Sequence, residues 1–378
     1  MNEQEQRSVL WLRLARAPGV GPVTGMKLIK QMGGLEYIFQ ASAKSLRRVK
    51  GLKDDTRDAL LDPAERDKLL RQFEYCRENG ITVAGPDQPE YPAALRQIPD
   101  PPLALYIKGS LPEGDDYIAM VGCRNPDPYG ESMAASLAAG LARYQVVIDS
   151  GMARGIDGIA QRSALKAGGR TVAVLGTGVD VVYPPEHQEL YENIVENGAV
   201  VSELPPGTRP EAGNFPRRNR IIAGLAKGVI MVQAMSEKSG ALITVRHALD
   251  QGREVYAVPG NAGSRGGRIG NSLVKQGARL VESAEDILCD LLPVGSLLAE
   301  EDKSDKEKED DIAKRLPDLQ GRVYALVPTA REGTVDVDAL ARQAGVSSHQ
   351  AGSVLLELEL AGLVKALPGK RYVRLSRA

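Results

Sequence analysis

Three arginines beside an aromatic ring form the most informative polar cluster of the sequence. Residues 215–220 read Phe-Pro-Arg-Arg-Asn-Arg, so Phe215 precedes Arg217, Arg218 and Arg220, and the segment precedes a predicted apolar helix over 221–225. Guanidinium groups bind phosphates through paired hydrogen bonds, and a ring offers a face on which a base can stack. The cluster therefore predicts a groove for single-stranded nucleic acid. The alternative interpretation is a helix start with solvated arginines and with Phe215 in the core.

Small residues follow most of the β-branched runs of the sequence. Glycine and serine at these places let the backbone approach a ligand closely, and a helix that begins there offers unpaired N–H groups to an anion. Arg124 follows Gly122 and would add a five-donor fork for phosphate, although a structural salt bridge is equally open for it. Residues 265–268, Arg-Gly-Gly-Arg, predict a flexible cationic loop.

Enzyme signatures are scarce. There is no GxxxxGK(S/T) segment to hold a nucleoside triphosphate, and the glycine pair at 176 and 178 does not complete a dinucleotide fingerprint. The three cysteines, at 76, 123 and 289, are too far apart to suggest a zinc site or a disulfide framework. Asp157, Asp180 and Glu203 could be catalytic carboxylates, but roles as helix caps or partners of arginines are favoured. We therefore expect no cofactor, no metal and no catalysis.

Seven short apolar runs must form the scaffold that positions these residues. They begin near residues 118, 145, 171, 199, 228, 254 and 278 and alternate with helical patterns. Continuous apolar strands are typical of parallel sheets that helices cover on both faces. The pattern predicts a doubly wound, Rossmann-like α/β sheet over about 117–293, with its ligand site at the carboxyl ends of the strands.

Two smaller modules flank the predicted sheet. Residues 18–21 (Pro-Gly-Val-Gly) and 49–52 (Val-Lys-Gly-Leu) separate short helices and resemble helix-hairpin-helix units, although ordinary helical turns remain open. Beyond the acidic run 300–311, helices over 318–327, 336–344 and 347–363 and two strands around 368–369 predict a winged helix, with Ser347 as an N-cap. The predicted domains are 1–80, 81–293, a linker over 294–315, and 316–378.

Charge gives only a local signal. Lys and Arg (48) nearly balance Asp and Glu (49), and the net charge is −1. The 314–378 segment carries ten Lys and Arg against six Asp and Glu, which leaves DNA binding and protein docking both open for the winged helix. No signal peptide and no long apolar run is visible, so we expect a cytosolic protein that does not enter a membrane.

The motifs together resemble the DNA-processing protein A (DprA/Smf) family, almost continuously from residue 91 to 281. The shared segments include Val121-Gly122 with Arg124, Ser150-Gly151 through Asp157, Tyr183-Pro184, Phe215-Pro216 with Arg218-Asn219-Arg220, Ser239-Gly240 through Thr244, and Val258-Pro259-Gly260. Departures are Cys123 in place of Thr or Ser, Gln161 in place of His, and Pro185-Glu186-His187 where members often have lysine and asparagine.

The resemblance implies an extended Rossmann fold that binds single-stranded DNA without hydrolysis, forms a homodimer, and helps load RecA onto DNA displaced from single-strand-binding protein during natural transformation. The lysine contact expected after Tyr183-Pro184 is in doubt, and Arg217 is the candidate to replace it. The predicted DNA-binding residues are Gly122, Arg124, Ser150, Gly151, Arg154, Gly176, Gly178, Phe215, Arg217, Arg218, Asn219, Arg220, Ser239, Gly240 and Thr244.

Two alternatives come from other functional classes. A Rossmann-like nucleotide phosphoribohydrolase would carry a PGGxGT segment followed by a catalytic glutamate, whereas residues 239–244 here read Ser-Gly-Ala-Leu-Ile-Thr without one. The other alternative is a docking platform that acts through the winged helix and the charged linker. The dimer interface, the RecA-contacting surface and any DNA contact of the flanking modules are not fixed by the sequence.

Overall fold

The structure is a computed structural model, which describes residues 1–49, 51–112, 114, 116–291, 316–328, 334–361, 363–367 and 371–374. It consists of two compact units, Met1–Leu288 and Cys289–Ala378. The predicted linker and the predicted turn at 368–369 lie outside the described residues. The N-terminal helices and the sheet belong to the same compact unit, and the predicted domain boundaries stay predictions.

Short helices precede the sheet and turn at glycines. Gly19 and Gly51 follow the first and fourth helices and adopt φ values of +72° and +85°, a left-handed conformation that glycine adopts at low cost. The helices are α1 (Glu3–Arg16), α2 (Pro22–Met32), α3 (Leu35–Gln40), α4 (Ala43–Leu46), α5 (Asp54–Leu61) and α6 (Pro63–Glu78).

All seven predicted strands are present and run parallel in one sheet. Two antiparallel strands that the sequence analysis did not predict extend the sheet at one edge. Both precede residue 117, where the sequence analysis placed the start of the sheet. The strands are β1 (Ile81–Ala84), β2 (Leu105–Gly109), β3 (Tyr117–Gly122), β4 (Val147–Ser150), β5 (Thr171–Val174), β6 (Gly198–Ser202), β7 (Gly228–Gln233), β8 (Glu254–Ala257) and β9 (Arg279–Leu280).

Strand order reverses at the centre of the sheet. Within the described residues the order is β1-β2-β6-β5-β4-β3-β7-β8-β9, so the chain progresses one way from β3 and the other way from β7. Such a switch point opens a crevice beyond the carboxyl ends of the two strands. The connecting helices are α7 (Ala93–Arg96), α8 (Pro128–Arg143), α9 (Ile156–Lys166), α10 (Gln188–Asn197), α11 (Asn214–Leu225), α12 (Ala241–Asp250), α13 (Arg265–Lys275) and α14 (Glu285–Leu291).

Helices cover both faces of the sheet. On one face, Val121 of β3 and Val229 of β7 pack in a cluster with Ile222 of α11 and Val245 of α12. On the other, apolar residues of α1, α6 and α10 join the buried side chains of β5 and β6. Each central strand is therefore buried on both sides, as its continuous apolar sequence indicates.

Two sequence predictions about α11 and α13 were wrong. Residues 215–220 do not precede a helix, because α11 already begins at Asn214 and carries the arginines on its first turns. Residues 265–268 are not a loop but the first turn of α13, capped by the Ser264 hydroxyl, which accepts a hydrogen bond from the Gly267 amide at 2.9 Å. Glycine is needed there because a Cβ at 267 would lie 2.5 Å from the Asn261 carbonyl oxygen.

The second unit contains the predicted winged-helix elements. Ser347 is the N-cap of its last helix, in a capping box with Gln350, as predicted. The elements are α15 (Asp318–Leu326), β10 (Val335–Asp336), α16 (Val337–Ala344), α17 (Ser348–Leu360), β11 (Val364–Leu367) and β12 (Arg371–Arg374). Among the described residues, the strands form one small sheet in the order β10-β12-β11.

Candidate nucleic-acid interface

A cavity of about 690 Å³ lies at the carboxyl ends of β3 and β7, at the switch point. The two strand ends are joined there, because the Cys123 amide donates a hydrogen bond to the Gln233 carbonyl oxygen at 2.8 Å. The walls are the loops after β3, β4 and β7 and the first turns of α11 and α12. Ten predicted site residues line it: Gly122, Arg124, Gly151, Arg154, Phe215, Arg218, Asn219, Ser239, Gly240 and Thr244.

The other five predicted residues lie next to the cavity without lining it. Ser150 is buried and its hydroxyl donates to the Met120 carbonyl at 2.6 Å. Gly176 and Gly178 make space for the Phe215 ring and the Pro205 carbonyl respectively. Arg217 is exposed on α11, and Arg220 is buried in ion pairs with Glu203 and Asp100.

Arg218 is the buried cation of the site. Its guanidinium donates to the Gly151 carbonyl at 2.9 Å and to the Val174 carbonyl, and its Nε donates to the Asn219 side chain at 3.2 Å. Burial lowers the pKa of Arg218 to about 10, while the nearby Asp157 carboxylate opposes this effect. Arg218 remains charged at neutral pH and fixes the β4 and β5 loops to α11.

Gly151 accommodates the side chain of this arginine. A Cβ at position 151 would lie 2.5 Å from a terminal nitrogen of Arg218, too close for any side chain. Gly240 differs, because a Cβ there would meet no atom within 4 Å. Gly240 precedes α12, and its carbonyl accepts from the Asn219 side chain at 3.2 Å. Position 240 thus leaves open space in front of the N-terminus of α12, and a helix N-terminus favours the binding of an anion.

Two exposed cations stand near this opening. Arg124 lines the cavity, Arg217 follows Phe215 on α11, and neither makes a hydrogen bond or ion pair with the residues that the structure describes. The positive charge of Arg124 also lowers the pKa of Arg218, after the larger effect of burial. Like charges that face one cavity repel each other, so an anion bound between them would be stabilised.

Two aromatic rings line the same cavity. The Tyr183 and Phe215 centroids are 5.5 Å apart with their planes inclined at 41°, and the Arg218 guanidinium carbon lies 6.0 Å from the Phe215 centroid. Both rings are half-buried, so each keeps an accessible surface. Tyr183 was not among the predicted site residues. The Tyr183-Pro184 segment, already shared with the family in the sequence, was the signal that could have identified it.

The loop after Tyr183 bears a carboxylate at the cavity edge. Glu186, in the short 3₁₀ turn Pro185–His187, forms an ion pair with Arg154, and the two side chains are 50% and 52% exposed. Arg154 therefore lines the cavity with its charge already paired. The sequence analysis noted that residues 185–187 depart from the family, which often has a lysine there. In the structure this loop carries a carboxylate instead of a cation, and the carboxylate pairs with Arg154.

The carboxylates considered for catalysis have structural partners. Asp157 accepts from the Gly151 amide at 3.1 Å, Asp180 accepts from the Gly207 amide at 2.8 Å, and Glu203 pairs with Arg220. Burial raises the pKa of Asp157, partly offset by Arg218. His187 is buried against the Met152 carbonyl, and burial lowers its pKa.

The described residues contain neither a membrane-spanning helix nor a cluster of metal ligands. No helix among them is long and apolar enough to span a membrane. In the same part of the chain, no group of three His, Cys, Asp or Glu side chains could hold a metal ion.

Family models match two segments of the chain. The model described as DNA recombination-mediator protein A matches residues 82–292, and the model described as DprA winged helix domain matches 307–370. The first segment contains all the residues of the cavity, and the second contains the described elements from α15 to β11.

Curated relatives are similar over most of the chain. Protein Smf of Synechocystis is 30% identical over 96% of this chain and 98% of its own length. Protein Smf of Escherichia coli is 42% identical over 77% of each chain. The DNA processing protein DprA of Bacillus subtilis is 43% identical over 59% of this chain and 76% of its own.

Solved structures agree in fold. DNA processing protein A of Streptococcus pneumoniae superposes with a TM-score of 0.58 at 32% identity, over 74% of this chain and 96% of that one. DNA processing protein A of Helicobacter pylori gives 0.50 at 29% identity over 56% and 95%, and its structure is described as showing a single-stranded DNA binding mode. From the matched segments, the extent of the relatives and the shared fold, the chain belongs to the DNA recombination-mediator protein A (DprA/Smf) family.

Proposed function

We propose that this protein binds single-stranded DNA in the cavity at the switch point, as a recombination mediator. The observation that carries the proposal is that Arg124, which has no partner among the described residues, lines the same cavity as the rings of Tyr183 and Phe215. Cations that track phosphates and rings that stack on bases are the two elements of sequence-tolerant single-strand binding. The relative from Helicobacter pylori supports it, since single-stranded DNA binding is described for that protein.

The roles of the lining residues differ. Arg124 would contact phosphate directly, because its side chain is exposed at the cavity and no described partner competes for it. Tyr183 and Phe215 would stack on bases, and Gly240 would admit the sugar-phosphate chain to the start of α12. Arg218 would hold the walls together rather than contact DNA, because its donors already face the Gly151 and Val174 carbonyls.

The proposed action is binding rather than catalysis. The three carboxylates considered for catalysis have structural partners, and Asp157, which lines the cavity, accepts a hydrogen bond from the Gly151 amide at 3.1 Å. The phosphoribohydrolase alternative is not favoured, because no glutamate follows the strand end at 239–244. The proposal extends to four properties that the family resemblance implies. They are loading of RecA, displacement of single-strand-binding protein, formation of a dimer, and action in the cytosol during natural transformation.

Replacing Arg124 with alanine tests the cavity. We expect about a tenfold loss of affinity for oligothymidylate, the size of one charged hydrogen bond, and a shallower salt dependence, because one fewer phosphate is neutralised. Fluorescence anisotropy across a salt series measures both.

Arg143→Ala is the matched control. Arg143 is also exposed and has no described partner, but it ends α8 at the opposite edge of the sheet. Unchanged affinity in Arg124→Ala, or an equal loss in both variants, would show that DNA binds elsewhere.

A further inference from the structure

The N-terminal helices contain a duplicated unit. Residues 14–28 and 46–60 align at a constant offset, with leucine at both ends, arginine at the third position, glycine at the sixth and threonine at the eleventh. The matched pairs are Leu14 with Leu46, Arg16 with Arg48, Gly19 with Gly51, Thr24 with Thr56, and Leu28 with Leu60.

The two copies have the same local structure. In the first, the Val20 amide donates to the Ala17 carbonyl at 3.1 Å, and in the second the Leu52 amide donates to the Val49 carbonyl at 3.3 Å. Each turn has a left-handed glycine at its third position, and a helix begins three residues after that glycine. We call residues 17–21 the first hairpin and residues 49 and 51–53, the described part of the second turn, the second hairpin.

Matching apolar positions bury the duplicated units in one core. Leu14, Leu46, Leu28 and Leu60 belong to one buried cluster, which also contains Val20 of the first hairpin and Leu52 of the second. Gly19 and Gly51 are exposed. Each hairpin is therefore held by an apolar side chain in the core, while its left-handed glycine is exposed to solvent.

The hairpins lie side by side. The Thr56 hydroxyl, in the first turn after the second hairpin, donates to the Pro18 carbonyl of the first hairpin at 2.6 Å. Arg13, just before the first hairpin, donates to the Leu60 carbonyl at 2.9 Å. The duplicated unit thus forms one surface with two equivalent turns.

This surface is the most asymmetrically charged part of the sequence that we identify. Residues 13–57 contain ten Lys and Arg against three Asp and Glu, a net charge of +7 in a chain of net charge −1. The three acids are already engaged: Glu36 with Arg7, Asp54 with Arg57, and Asp55 with the Thr56 amide. Exposed cations with no partner among the described residues are Arg16, Lys27, Lys30, Lys44, Arg47, Arg48 and Lys53.

We propose that the two hairpins and their flanking cations bind the phosphate backbone of duplex DNA, with one hairpin on each strand. A surface with this excess of cations attracts a polyanion. Two equivalent hairpins match two equivalent strands, as two-fold protein elements match two-fold DNA sites. The hairpins contain no aromatic residue on which unpaired bases could stack, so duplex DNA fits them better than a single strand.

The contacts would come from the cations rather than from the helix starts. Asp54 and Asp55 begin α5, and carboxylates at a helix N-terminus disfavour a second anion there. Arg48 precedes the second hairpin and Lys53 is its last residue; both side chains are exposed, and Lys53 makes no capping bond to α5. A protein that binds single strands in the cavity and duplex at the hairpins would bind junctions between the two.

Charge reversal at the second hairpin tests the proposal. We expect Arg48→Glu/Lys53→Glu to bind a short random-sequence duplex at least about tenfold more weakly, with the slope of log affinity against log salt reduced by about 2, since each phosphate contact contributes roughly 0.9. Arg143→Glu/Lys166→Glu changes the net charge equally at exposed helix ends away from the hairpins and should bind as the parent protein does.

Three outcomes would overturn the proposal: unchanged duplex affinity, an equal loss in both double variants, or a loss confined to oligothymidylate. Thermal denaturation checks that the variant is folded. If it is not, Arg16→Ala/Arg48→Ala removes one cation before each hairpin without adding acids, and its duplex affinity decides between the same outcomes.

Discussion

The cavity at the switch point and helix α17 of the winged helix both occupy positions at which such folds commonly bind nucleic acid. Their side chains carry opposite charges. The cavity contains Arg124 and Arg218 beside two rings. Helix α17 contains no Lys or Arg and carries Glu357 and Glu359 in its last turns. Its exposed apolar residues, Leu356 and Leu360, are 56% and 81% accessible.

This difference in charge shows that a position typical of nucleic-acid binding does not by itself make a helix or cavity a nucleic-acid site. Recognition helices approach a polyanion, and a helix whose only charged side chains are acidic is repelled by it. Exposed leucines on such a helix are more typical of a protein contact. The positive charge of the 314–378 segment therefore lies outside α17. The count of charged residues over the whole segment did not show where in the segment the cations lie.

The largest effect is expected on stability, when the buried arginine of the cavity, Arg218, is replaced. Arg218→Ala would leave the Gly151 and Val174 carbonyls and the buried Asp157 without their cation, and should lower the free energy of unfolding by about 3 kcal/mol. Urea denaturation measures this difference. Arg217→Ala, an exposed neighbour on the same helix, should change stability by less than about 0.5 kcal/mol. Similar losses at both positions would mean that Arg218 does not hold the cavity walls.

A smaller effect is expected at Glu186. Glu186→Gln removes the carboxylate that pairs with Arg154 and frees that cation for phosphate, so affinity for oligothymidylate should rise by about threefold. Glu189→Gln, an exposed acid on the following helix, is the control. Weaker binding in Glu186→Gln would show that the ion pair positions Arg154 for DNA instead of competing with it.

The smallest effect is expected from removing the winged helix. A chain truncated after residue 299 keeps the whole first unit, and its affinity for oligothymidylate should stay within about twofold of the parent. A loss of binding with the tail would reverse the comparison and make the second unit the principal DNA site. Truncation at the same residue in the Arg124→Ala background shows whether the two regions act independently.

The sequence predicted the scaffold better than the direction of individual side chains. Seven strands and the winged-helix elements were predictable because burial on both faces and capping leave local patterns, such as Ser347 and Gln350 in their capping box. The neighbours Arg217 and Arg218 were not distinguishable, because one is exposed and the other buried only through contacts with β4 and β5. Tyr183 enters the cavity from a loop whose path depends on the whole sheet.

The close approach of Arg218 to Gly151 ties two distant positions of the gene together. The residues are 67 apart in the chain, yet no side chain fits at 151 while the arginine occupies its site. Substitution at position 151 is therefore limited by the arginine, whereas the glycine is compatible with any residue at 218. Descendants that keep Arg218 should keep Gly151, and a larger residue at 151 is expected in those that have lost the arginine.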